Sequence, residues 1–252
     1  PPRLNCRRQR QMCIRDSHCG SRAPLESLRA PDAERMSRDR PLNAAVFASG
    51  SGSNFQALLD AEDAEGNPWR TVLLISDRSS AKALERAESA GVDARVIEVS
   101  RRPAEEVATE MLEALESAGV EVVFLAGYLR LVPAPVVDRF RNRILNIHPA
   151  LLPAFGGKGM WGRHVHTAVL EAGCRVSGPT VHLVDEVYDR GMILAQWPVP
   201  VLNGDTPEVL AARVLAAEHR LYPQAAAHLC RALRDGEDPR PLDGTGNRFI
   251  ME

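Results

Sequence analysis

Along this chain, short β-rich runs alternate with helix-length segments whose apolar positions recur every three or four residues. Residues 44–48, 71–75, 120–125 and 143–147 have the length and composition of strands. Between them, segments 54–61, 81–90 and 104–118 carry apolar stripes, clearest at Val107, Met111, Leu112 and Leu115, and read as amphipathic helices. Gly91 and Gly119 follow the second and third of these, where a left-handed cap ends a helix. Strand alternating with helix predicts an α/β fold, a Rossmann-like, mostly parallel sheet with helices on both faces. After Pro149 the pattern changes to a glycine-rich loop, a short helix over 164–172 and two long β-rich runs at 175–184 and 192–201. A closing helix is expected over 206–229, with Thr206 as cap, Pro207 in the first turn and Glu208 just after.

The ends differ from this body. The first forty residues hold ten arginines against five acidic residues with no sustained apolar period, so residues 1–41 are expected to be a disordered or artefactual extension. They resemble translated adaptor sequence, with Met36 as a candidate start. Residues 42–232 form the expected catalytic domain, and the Asp-, Gly-, Pro- and Arg-rich residues 233–252 a loose tail. With 252 residues, 44% hydrophobic and 25% charged, one substantial core can form. A net charge of -2 makes no electrostatic case for nucleic acid, and no apolar run approaches the roughly 18 residues of a membrane span. Of five cysteines, only Cys174 and Cys230 lie in the body, far apart, which fits a reducing compartment and a cytoplasmic location.

Three motifs carry chemistry. Ser49-Gly50-Ser51-Gly52-Ser53-Asn54 lies between the first strand and the first helix, where backbone amides favour an anion. Phe55 stands where a dinucleotide fingerprint would place its third glycine, and the Walker Gly-Lys-Ser/Thr is missing, so a single phosphate suits the turn better. The second motif is Asn146-Ile147-His148-Pro149. In extended backbone, side chains two apart share a face, so a neutral amide donor and an imidazole converge on one small group. That pairing suits acyl or formyl transfer, in which a carbonyl turns tetrahedral beside an attacking amine. The third is Tyr188-Asp189-Arg190-Gly191, with Asp189 lying 41 residues beyond His148. His164 and His166 invite a metal with His148 or His182, but no Cys or carboxylate spacing typical of zinc accompanies them, and no metal is expected.

Taken in order, the serine–glycine turn, the Asn-x-His strand end and the run from His182 to Gly191 resemble the folate-dependent phosphoribosylglycinamide formyltransferases of purine synthesis, from about Leu42 to about Leu229. The resemblance implies the formyltransferase fold and direct transfer of a formyl group from 10-formyltetrahydrofolate, as co-substrate, to the amine of glycinamide ribonucleotide. It assigns catalysis to Asn146, His148 and Asp189, with Asp189 beside His148 and raising its pKa. It implies that the amides of Gly52, Ser53 and Asn54 hold the ribosyl phosphate and that Glu218 contacts the glycinamide. Folate is expected along Tyr128, Leu129, Arg130, Leu131 and Val132, with Val184, Asp185 and Glu186 lining the pterin from the other side. The chain departs from the commonest pattern in a longer loop at 154–163. By ungapped counting an arginine used near the folate falls at Ala104, so that Arg101, Arg102 or no residue at all stands in for it. A monomer or homodimer is expected.

Other readings carry their own signatures. A tRNA formyltransferase should add a C-terminal nucleic-acid-binding domain, and the chain ends soon after its closing helix. A formyltetrahydrofolate hydrolase should add an N-terminal regulatory domain and needs no phosphate cradle. A non-catalytic nucleotide-binding module would have no need of Asn146, His148 and Asp189 together.

Overall fold

A computed structural model describes residues 40–242. The expectations for residues 1–39 and for residues 243–252 lie outside the described residues. Nine strands and six helices follow one another as β1 (Leu42–Phe47), α1 (Ser53–Glu62), β2 (Trp69–Ser76), α2 (Ala83–Ala90), β3 (Asp93–Val96), α3 (Ala104–Ser117), β4 (Val122–Leu125) and α4 (Ala134–Arg139), then β5 (Ile144–His148), α5 (Arg163–Glu171), β6 (Val176–Ser177), β7 (Thr180–Leu183), β8 (Ile193–Gln196), β9 (Val199–Pro200) and α6 (Pro207–Asp235), all among the described residues.

Seven strands form one sheet in the order β3-β2-β1-β4-β5-β7-β8. β3 through β5 are parallel, and β7 and β8 join antiparallel. The period of two along β1 explains the two-sided core. Ala44, Val46 and Ala48 pack with α1, α2 and α6, while Ala45 and Phe47 pack with α3 and α4 on the other face. Sequence order reverses between β1 and β4, so the crevice at their carboxyl ends is where an open α/β sheet binds ligands.

The two long β-rich runs are each divided. Gly178-Pro179 separates β6 from β7 and Trp197-Pro198 separates β8 from β9, because proline offers no N–H to a ladder. The pieces go to different sheets, β6 with β9 and β7 with β8. Thr206 caps the last helix by accepting from Val209 N–H at 3.3 Å. That helix runs six residues past the expected 229 and ends on left-handed Gly236. The stretch after it is docked rather than loose: Leu242 N–H donates to Leu194 O at 2.8 Å, Arg240 O accepts from His228, and Pro239 is buried.

Candidate active site

A cavity of about 720 Å³ opens at the carboxyl ends of β1, β4 and β5, a volume suited to a small-molecule site. At one end lies the serine–glycine turn. Gly52 caps α1 in the left-handed conformation, φ 68°, and a Cβ there would sit 2.9 Å from Ala83 Cα. Only glycine fits this close approach of α1 and α2. Arg86 braces the turn, donating to Ser51 O and to Gln56, both at 2.9 Å. Ser51 and Asn54 line the cavity, whereas Gly52 and Ser53 contribute backbone behind it, where the first turn of a helix leaves amides without internal partners.

Glu218 comes from α6 to the same end, 7% exposed, and accepts from Asn54 Nδ2 at 2.6 Å. Burial pushes its carboxyl up from the usual range, and the Asn54 bond offsets this only in part. Burial there works against the charged form, which a cation beside it would stabilise.

At the centre, Asn146 and His148 leave β5 on one side and both line the cavity. Their exit is fixed by Thr180, opposite His148 in the β5–β7 register, whose hydroxyl donates to Ala150 O at 2.6 Å and accepts from Leu152 N–H at 2.9 Å. Asp189 reaches the same point from the loop after β7. A Cβ at Gly191 would lie 1.8 Å from Leu183 O, so the chain can tuck back against β7 only with glycine there. Asp189 Oδ2 then lies 3.7 Å from His148 Nδ1 and accepts from Gly157 N–H at 2.7 Å.

His148 Nε2 faces Phe155 O at 2.8 Å; a carbonyl only accepts, so Nε2 carries a proton. Burial pushes the His148 pKa down, and this outweighs the upward pull of Asp189 and the Phe155 carbonyl, with His182 adding to the decrease. The expected net rise is thus corrected: the carboxylate does work upward, but the ring is only 4% exposed. Burial also works to raise the Asp189 carboxyl, yet His182, the Gly157 N–H and His148 together hold it below the usual range.

The other end is walled by Tyr128, Leu129, Arg130, Leu131, Val132, Val184 and Asp185. Leu129 N–H donates to Ser49 Oγ at 2.9 Å, tying this segment to the serine–glycine turn. Arg130 is held by Asp77 at 2.8 Å. Arg102 is engaged by Glu110, and neither it nor Arg101 lines the cavity, so the cleft's arginine on this side is Arg130. Glu186 is corrected as well, since it pairs outward with Arg141 at 2.7 Å and Val187 and Tyr188 line the wall instead.

Sequence reasoning named two further parts of the site without giving either a place in it. The long loop at 154–163 forms one wall through Gly157, Lys158, Gly159, Met160 and Trp161; its length was the available signal. His182 also lines the cavity, lying 3.0 Å from Asn146 Nδ2 and 3.6 Å from Asp189 Oδ1, visible only once β7 is known to pair with β5. His166 lines it too, but among the described residues no cluster of three or more His, Cys, Asp or Glu side chains is arranged to hold a metal ion. Nor is any helix there long and apolar enough to cross a membrane.

A family model described as formyl transferase matches residues 42–226. A protein of Arabidopsis thaliana named phosphoribosylglycinamide formyltransferase, chloroplastic, is 46% identical over 201 residues, covering 79% of this chain and 69% of that one. The phosphoribosylglycinamide formyltransferase of Bacillus subtilis (strain 168) is 37% identical over 196 residues, 77% of this chain and 97% of that one. The crystal structure of phosphoribosylglycinamide formyltransferase from Brucella melitensis superposes with a TM-score of 0.70 at 44% identity, covering 76% of this chain and 96% of the other.

Proposed function

The chain belongs to the formyl transferase family, and we propose that it moves the formyl group of 10-formyltetrahydrofolate onto the primary amine of glycinamide ribonucleotide, a step of purine synthesis. One observation carries this reading. A single cavity is lined by the serine–glycine turn and buried Glu218 at one end, a mostly apolar wall at the other, and Asn146, His148 and Asp189 between them.

In this reading the amides at Gly52, Ser53 and Asn54 take the ribosyl phosphate, and Glu218 takes the glycinamide amine. The pteridine and its ring system lie along Tyr128–Val132, Val184 and Asp185. The amine nitrogen attacks the formyl carbon, the new C–N bond forms, and the carbonyl electrons move onto oxygen, where an Asn146 N–H donates. His148, whose neutral form burial favours, takes a proton from the attacking nitrogen and returns it to N10 as the old C–N bond breaks. The imidazolium formed in between faces the Asp189 carboxylate, which steadies it. Nε2 carries its hydrogen toward the Phe155 carbonyl in the free protein, so as substrate arrives the adjoining glycine-rich loop gives way and the ring hydrogen moves to Nδ1, beside the Asp189 carboxylate, leaving the Nε2 lone pair to take the proton. No covalent enzyme intermediate is needed, and holding the two substrates in contact supplies much of the acceleration. No metal enters this scheme. The free thiols of Cys174 and Cys230 suit a reducing compartment, which we take to be the cytoplasm.

The test is transfer against hydrolysis. With both substrates, tetrahydrofolate and formylated amine should appear one for one, and omitting the amine nucleotide should stop the reaction. Formate released at the same rate without the nucleotide would replace this reading with deformylation.

A further inference from the structure

His182 is opposite Asn146 in the antiparallel register of β7 and β5, and it is 2% exposed. Its Nδ1 lies 2.8 Å from Leu183 O, and because a carbonyl can only accept, Nδ1 carries the hydrogen. A neutral ring with its hydrogen on Nδ1 presents a lone pair at Nε2. That lone pair is 3.0 Å from Asn146 Nδ2. We propose that His182 is a positioning residue that sets the orientation of the Asn146 amide, accepting one of its N–H groups so that the other is left for the formyl oxygen. The proposal rests on the formyl-transfer reading above.

The physical reason lies in the symmetry of an amide. Its oxygen and nitrogen ends have nearly the same shape, so only hydrogen-bond partners decide which end faces the substrate. Turned over, Asn146 would set its oxygen lone pairs against the lone pair of His182, deep in the fold where water does not relieve the clash. It would then offer the developing oxyanion an acceptor in place of a donor. The Leu183 carbonyl holds the ring in the one tautomer that selects the productive amide, so the backbone of β7 writes the orientation of a side chain on β5. Asn146 Nδ2, at 3.0 Å, is the nearer partner of His182 Nε2, with Asp189 Oδ1 at 3.6 Å.

The experiment is a double-mutant cycle read by kcat, by KM for both substrates and by thermal melting, with wild-type, His182→Leu, His182→Gln, Asn146→Ala and the Asn146→Ala/His182→Leu double variant. His182→Leu should lower kcat by about 10-fold or more and leave both KM values within about threefold. His182→Gln, whose Oε1 accepts the same N–H, should return kcat to within about threefold of wild type. In the Asn146→Ala background His182→Leu should cost less than about twofold, since its partner is already gone. Additive losses in the cycle, a Gln variant no better than Leu, or a folded Leu variant within about twofold of wild type would each overturn the proposal. If His182→Leu does not fold, His182→Asn takes its place, being too short to reach Asn146 while still able to meet the Leu183 carbonyl. Wild-type protein that transfers no formyl group would remove the functional reading itself, whereas active wild type with an additive cycle sinks only the role of His182.

Discussion

Replacing Asp189 with Asn removes one negative charge while keeping the size of the side chain and an oxygen for the Gly157 N–H. The carboxylate stands 3.7 Å from His148 Nδ1. At an effective dielectric of about 20, unit charges at that separation attract by about 4 kcal/mol, close to three powers of ten in imidazolium stability. The side chain is 11% exposed and shares its field with His182, so water and the second ring take part of that figure. We expect kcat to fall by about 100-fold with KM for the amine nucleotide unchanged. The sign of the pH effect follows from the opposing causes. Burial pulls the His148 pKa down and Asp189 pulls it up, so deleting the charge moves it further down. The acid limb of the kcat profile should then shift to lower pH while the plateau drops. A kcat within about threefold of wild type and an unmoved limb would refute the assigned partnership.

Glu218→Gln should raise KM for the amine nucleotide by about 10-fold or more while leaving folate affinity unchanged. The raised pKa of Glu218 means that its contribution to stability is present below the unfolded carboxyl's pKa and is lost as pH rises through the folded value, so Gln should melt higher than wild type above that point. A lower melting temperature for Gln at neutral pH would contradict the cost assigned to that buried charge. Gly191→Ala forces a Cβ into contact with Leu183 O and should cost about 3 kcal/mol, or roughly 10 °C in melting temperature, with loss of activity as Asp189 is displaced. Melting within about 2 °C of wild type would show that the turn relaxes freely.

The parallel half of the fold was legible because its strands and helices repeat with clean periods, and the Gly91 and Gly119 caps fall where expected. What escaped notice has physical reasons. β3, Asp-Ala-Arg-Val, is an exposed edge strand and has no apolar face to announce it. α4 has Pro133 as its cap and carries Pro135 in its first turn, a composition that reads as loop. Asn146 and His148 were readable together, since their spacing alone puts them on one side of a strand. Asp189 reaches them only through the antiparallel return of β7 and a glycine that lets the chain touch backbone, neither of which is written locally. The sign of the His148 shift depends on burial, which emerges only when α5, the 154–163 loop and β7 close around the ring.

The central claim, that Asn146 and His148 act on one carbonyl carbon, is tested most directly by single-turnover formyl transfer with both substrates saturating. Asn146→Ala and His148→Ala should each slow the transfer step by about 100-fold or more while binding both substrates as wild type does. Transfer within a few-fold of wild type in both variants would contradict it.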